Sequence, residues 1–189
     1  MTRRLPQTPS QTLGPFYSIG LRGAHWPFAV PAGTPGAVWL RGRLLDGAGD
    51  PVPDGIIETW QADSGGRFDH PDDPRGAQPS DVTGFRGFGR SETLDGEWAI
   101  HTVKPGRVPD GNGGLQAPHV DVTVLARGLL DRVVTRLYFG DEAEANAGDP
   151  VLRALDEAAR ATLVARPVAD GYRLDIVLKG AGETVFFRV

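Results

Sequence analysis

Apolar and polar residues alternate most clearly along His119-Val120-Asp121-Val122-Thr123-Val124. Successive strand side chains point to opposite faces, so Val120, Val122 and Val124 share an apolar face and His119, Asp121 and Thr123 share the other. The same reading predicts strands at Val38–Leu45, Ile56–Gln61, Glu97–Val103, Val133–Phe139, Tyr172–Leu178 and Thr184–Val189. Asp46-Gly47 and Asp54-Gly55 flank a Pro-Val-Pro turn region, and Lys104-Pro105-Gly106 stops the Glu97 run. One short helix is predicted, with Asp149 as N-cap, Pro150 at its first position, and Val151, Leu152, Leu155 and Ala159 at helical spacing. Residues 1–35 carry Phe16, Tyr17, Ile19, Leu21, Trp26 and Phe28 with no sustained period. Such an arm cannot build its own core and must pack on the domain or on a partner chain. The expectation is a mainly β protein, with an extended N-terminal arm (1–35) and a single sandwich or barrel domain (36–189).

Composition sharpens this picture. The 189 residues include 26 glycines and 16 prolines, well above the roughly 12% of average usage. They punctuate short apolar runs, as turns between strands do. Twenty basic against 24 acidic residues leave a net charge of −4, a poor match to nucleic acid or an anionic membrane. The absence of cysteine removes disulfides, thiolate zinc sites, iron–sulfur clusters and cysteine nucleophiles. No run is apolar enough to span a bilayer, and Met1-Thr2-Arg3-Arg4-Leu5-Pro6 has no apolar stretch behind its arginines. A soluble cytoplasmic protein is expected.

Candidate chemistry is sparse. His119 and Asp121 project side by side from one strand and could chelate a metal ion, as in the two-histidine, one-carboxylate sites of iron oxygenases. No histidine follows position 119; the others are His25, His70 and His101. The competing reading is a polar strand face hydrogen-bonded to a loop. Gly84-Phe85-Arg86-Gly87-Phe88-Gly89 lacks the flanking strand and helix of a dinucleotide fingerprint and reads as a loop. No nucleophile elbow or Walker-type Gly-Lys-Ser/Thr is present. Asp141, Glu142 and Glu144 read as a solvated loop, and Trp26, Trp39, Trp60 and Trp98 as core.

Several colinear segments carry more information together. Thr8-Pro9-Ser10-Gln11-Thr12-Leu13-Gly14-Pro15-Phe16, the stretch Glu58–Phe68 and Gly87-Phe88-Gly89-Arg90 resemble the intradiol ring-cleaving dioxygenases. So do His101–Gly106, Ala117–Val122, Thr135–Phe139 and Gly182–Phe187. The resemblance implies an intradiol-dioxygenase-like β-sandwich. Within the family it is strongest to the iron-free alpha chain of the two-chain members that cleave protocatechuate with O2 to 3-carboxy-cis,cis-muconate, in the beta-ketoadipate route of aromatic catabolism. It implies a homologous beta chain as partner, holding non-haem Fe(III), a higher-order alpha–beta assembly, and an arm that packs on the partner.

In the iron-bearing chains the family uses two tyrosines and two histidines. Those positions fall on Phe68, Val108, His119 and Asp121, and an arginine three residues before the first histidine falls on Gln116. Two of the four carry no donor atom, so no cofactor is expected on this chain and no catalytic residue in it alone. The resemblance gives Thr12, Gly14, Pro15 and Arg136 a part in the partner's substrate pocket. A Gly-Pro turn makes a preset wall against a ring, and a guanidinium suits a carboxylate. Two other functions stay open at this point. One is an autonomous metalloenzyme using His119 and Asp121 with His70 or His101; the other is a transthyretin-like or carbohydrate-binding sandwich without catalysis.

Overall fold

The structure, a computed structural model, describes residues 12, 14, 17–21 and 26–188. Among the described residues nine strands form one sheet: β1 (Ala37–Leu45), β2 (Ile56–Trp60), β3 (Phe88–Glu92), β4 (Glu97–Val103), β5 (His119–Leu125), β6 (Val133–Phe139), β7 (Val164–Val168), β8 (Gly171–Arg173) and β9 (Ile176–Val177). The strand order is β3-β2-β5-β6-β7-β8-β1-β4, with β9 beside β1. A tight turn at Leu94–Gly96 joins the two ends of this series. Across that seam the Ala99 amide donates to Ser91 Oγ (3.1 Å), so the sheet curls into a nearly closed sandwich. The inward rows of β1, β2, β4, β5 and β6 fill it: Leu40 and Leu44, Ile57, Trp98 and Ile100, Val120, Val122 and Val124, Leu137 and Phe139. The alternation read in β5 therefore sorts its two faces as expected.

Four features depart from the sequence reading. The loop expected at Gly84–Gly89 gives way at Phe88 to β3, which among the described strands pairs with β2 alone. Phe88-Gly89-Arg90-Ser91-Glu92 lacks an apolar alternation, and its strand is imposed by that neighbour. β7 contains Pro167 and shows no strand pattern, yet it joins β6 in parallel to β8. The run Tyr172–Leu178 breaks into β8 and β9 at Leu174–Asp175, where the Arg43 amide of β1 donates to the Asp175 side chain (2.9 Å) instead of to a backbone carbonyl. Within 184–188 the predicted last strand makes only an isolated bridge, Val134 with Phe187.

Helix is also more fragmented than one short segment. Among the described residues four short helices occur, α1 (Tyr17–Leu21), α2 (Ala143–Gly148), α3 (Pro150–Arg153) and α4 (Glu157–Ala161). Asp149 caps α3 as predicted, accepting from Val151 N and Leu152 N, but the helix stops at Arg153. Asp156 then caps α4 by accepting from Ala159 N. A second cap inside the predicted helix splits it. The described part of the arm rests on its own domain: the Tyr17 hydroxyl bonds Asp54 O and Leu125 O, and Arg90 donates to Leu21 O (3.0 Å). No described helix is long and apolar enough to cross a membrane.

Candidate functional site

The outward face of β3-β2-β5-β6 is set by register. Phe88 lies opposite Trp60, Trp60 opposite Asp121, and Asp121 opposite Arg136. Residues directly opposite in an antiparallel pair project to the same side, so these four form one row across four strands. Trp60 is 39% exposed and Phe88 37%, which corrects the reading of Trp60 as core. One step along β5 and β6, His119 lies opposite Tyr138, with ring centroids 5.6 Å apart.

Around Arg136 these residues form a hydrogen-bonded cluster. Its Nε donates to Asp121 Oδ1 (2.9 Å), and its Nη1 to Gln116 Oε1 (2.7 Å) and the Tyr138 hydroxyl (3.3 Å). Tyr138 in turn donates to Asp149 Oδ1 (3.2 Å). Asp149 is fully buried, and its other oxygen accepts from Ala117 N (2.8 Å). His119 Nδ1 meets Ala117 O at 2.8 Å. A carbonyl only accepts, so Nδ1 carries the proton and Nε2 is left bare. Burial, seconded by the Arg136 charge, pushes the His119 pKa down. Burial likewise pushes the Tyr138 hydroxyl up to about 12. Burial opposes the charge on Arg136, but Asp121 and Tyr138 outweigh it and its pKa rises. The cluster is thus a held cation flanked by two carboxylates, a neutral imidazole and a neutral phenol.

The other two positions that the resemblance relates to iron lie on adjoining loops. Gly66 (φ +73°) and Gly106 bring these loops together: a Cβ on Gly66 would meet Arg107 O at 2.0 Å, and one on Gly106 would meet Gly66 N at 2.6 Å. Only glycine permits that approach. Phe68 packs against Trp60 with near-parallel rings, 6.1 Å apart at 15°. Beside this pair is a cleft of about 270 Å3, lined by Phe85, Arg86, Ser80 and Asp69. Val108 is buried, and its carbonyl accepts from Gln116 N (2.8 Å).

Thr12 Oγ1 accepts from Gly128 N (2.8 Å) in the turn between β5 and β6. Gly14 O accepts from Tyr17 N (3.2 Å), opening α1. No described contact joins either residue to Arg136, and Pro15 lies outside the described residues. The histidines invoked for an autonomous metal site are employed elsewhere. His101 is wedged between Phe28 and Trp39 (5.3 and 4.9 Å), and His70 Nδ1 accepts from Asp72 N (3.2 Å). Asp141 and Glu142, expected in a solvated loop, both pair with Lys104, and Tyr172 donates to Asp141 (2.8 Å). The roles of Tyr138 and Asp149 in the cluster went unread. Tyr138 stands two residues from Arg136 on the same strand face, but nothing local signals that Asp149 reaches back to it.

Iron held by two phenolates and two imidazoles does not fit these residues. Phe68 and Val108 present only carbon, and the Asp121 carboxylate is engaged by Arg136. Among the described residues no three His, Cys, Asp or Glu side chains gather into a metal-holding group.

Comparison with known proteins agrees with the motifs. The family profile described as Dioxygenase matches residues 14–180. The chain is 41% identical to the protocatechuate 3,4-dioxygenase alpha chain of Pseudomonas putida, over 97% of this chain and 96% of that one. It is also 36% identical to the protocatechuate 3,4-dioxygenase beta chain of Burkholderia cepacia, over 77% of this chain and 65% of the other. Among solved structures it matches the dioxygenase domain of a dioxygenase–carbohydrate-binding protein fusion from Streptomyces sp. SirexAA-E, with 27% identity and a TM-score of 0.58 over 93% of this chain and 99% of that one. With a family match over most of its length and relatives similar from end to end, the chain belongs to the intradiol ring-cleaving dioxygenase family.

Proposed function

We propose that this chain is the iron-free alpha subunit of a protocatechuate 3,4-dioxygenase. A homologous beta subunit supplies the Fe(III) site, and the pair repeats in a higher-order alpha–beta assembly. The holoenzyme opens the ring of protocatechuate between its two hydroxyl-bearing carbons, incorporating both atoms of O2 and giving 3-carboxy-cis,cis-muconate. One observation carries the reading. A chain that aligns with an alpha chain over 97% of its length has carbon side chains at Phe68 and Val108, where the family resemblance implies phenolates in the iron-bearing chains.

This chain's own part is to build, not to react. Thr12, Gly14 and Pro15 are assigned to a wall of the partner's substrate pocket. The exposed row of Trp60 and Phe88 supports a face covered by another chain, since large aromatics gain most when removed from water. Arg136 is committed within its own chain to Asp121 and Gln116. It contributes to the partner's substrate pocket by holding Asp121, Gln116 and Tyr138 in place on this face rather than by a reaching contact.

The test is oxygen uptake with protocatechuate, for this chain alone and after co-expression with its beta chain. Activity is expected only in the pair. Turnover by the lone chain would overturn the reading. Removal of residues 1–20 in the pair is expected to raise KM and weaken assembly; unchanged KM and assembly would remove the arm from the pocket.

A further inference from the structure

We propose that Arg136 is a built-in cation that stands against the His119–Asp121 pair and keeps divalent ions off it. Three positions that the family resemblance associates with iron chemistry, Gln116, His119 and Asp121, are all present around it. Two of them are hydrogen-bonded to the one guanidinium, Asp121 at 2.9 Å and Gln116 at 2.7 Å. Arg136 reaches this place from β6, directly across the ladder from Asp121. The surrounding groups are the ones a metal would use. Asp121 is a carboxylate, and His119 has its Nδ1 tied to Ala117 O (2.8 Å), the arrangement that leaves Nε2 as a ligand atom. Both side chains project from the same face of β5. What such a pair lacks is a free carboxylate and a local field that welcomes a cation.

Arg136 removes both. Its guanidinium stays charged at any working pH, takes the carboxylate oxygen, and repels a second cation placed beside it. Asp121 and Asp149 would otherwise leave two negative charges around a neutral imidazole. The guanidinium also ties β5, β6 and the segment before β5 together, as a central ion would. The inference goes beyond the subunit reading and does not depend on it, because every group involved lies in this chain.

Cobalt(II) titration of the full chain, followed by visible absorption, tests it. Where the chain is obtained only with its partner, bound cobalt is counted as the excess over the wild-type assembly. Wild type and Arg136→Lys, both cationic, are expected to bind cobalt only weakly. Arg136→Ala is expected to bind one cobalt per chain at least tenfold more tightly than wild type, and adding Asp121→Ala is expected to abolish that binding. Should Arg136→Ala not fold, Arg136→Gln carries the same expectation, since its amide can still donate to Asp121 while the charge is gone. Wild-type binding as tight as the neutral variant's, or a folded neutral variant that binds no better than wild type, would overturn the proposal.

Discussion

Arg136 stands directly across the β5–β6 ladder from Asp121, and its Nε donates to the carboxylate over 2.9 Å. The arginine side chain is 21% exposed and the aspartate 39%, so water weakens the pair without dissolving it. A double-mutant cycle through Arg136→Ala and Asp121→Ala is expected to give a coupling of about 1 kcal/mol. Urea denaturation of the four proteins measures it. A coupling near zero would mean that Gln116 and Tyr138 alone hold the guanidinium.

Asp149 links more of the structure than any other side chain near the site. It accepts from Ala117, Val151 and Leu152 amides and from the Tyr138 hydroxyl while fully buried. Asp149→Ala removes a helix cap and leaves several buried donors without a partner, a loss of about 3 kcal/mol or more. Asp149→Asn is expected to cost less, because one oxygen can still cap α3. It still costs, because the new NH2 group must face a donor. Thermal unfolding of both variants checks the order.

Acid stability should report on the loop that carries Phe68. Asp73 receives the Arg75 side chain, which outweighs the cost of burial, together with the amides of Phe68 and Arg75. These hold its carboxyl well below the usual carboxylate range. A depressed native pKa stabilises the fold above the unfolded value of about 3.9, and the benefit drains away as pH falls toward the native value. The stability gap between wild type and Asp73→Asn is therefore expected to be constant from pH 7 to 5 and to shrink below pH 4. Urea midpoints across that range measure it; a gap that grows on acidification would contradict the assignment.

Gly66→Ala tests the close approach of the two loops bearing Phe68 and Val108. The new methyl would lie 2.0 Å from Arg107 O at a φ of +73°. Steric overlap and backbone strain together predict a loss of about 2–4 kcal/mol. The Trp60 fluorescence environment should change as well, because Phe68 packs on that ring. Wild-type stability would show that the loops separate freely.

Much of the site was legible in local pattern. The alternation through His119–Val124 assigned the two faces of β5, and with them the shared side of His119 and Asp121, because strand geometry has a period of two whatever its neighbours are. The family resemblance implies phenolate positions at Phe68 and Val108, and a side chain without a donor atom cannot hold metal in any fold. Asp149 as a cap was equally local, since the bonds it makes to Val151 and Leu152 lie within three residues.

What surrounds those residues belongs to tertiary structure. That Trp60 faces outward follows from the register that sets it between Phe88 and Asp121. β3 and β7 are strands because neighbouring edges complete their hydrogen bonds, not because their own residues alternate. Arg136 meets Asp121 across 15 residues of sequence, and Asp149 meets Ala117 across 32. The sequence alone determined which donor atoms this protein has and lacks. Only the fold decided that a guanidinium would stand among those that remain, because strand register and chain reversal bring together groups that no local pattern relates.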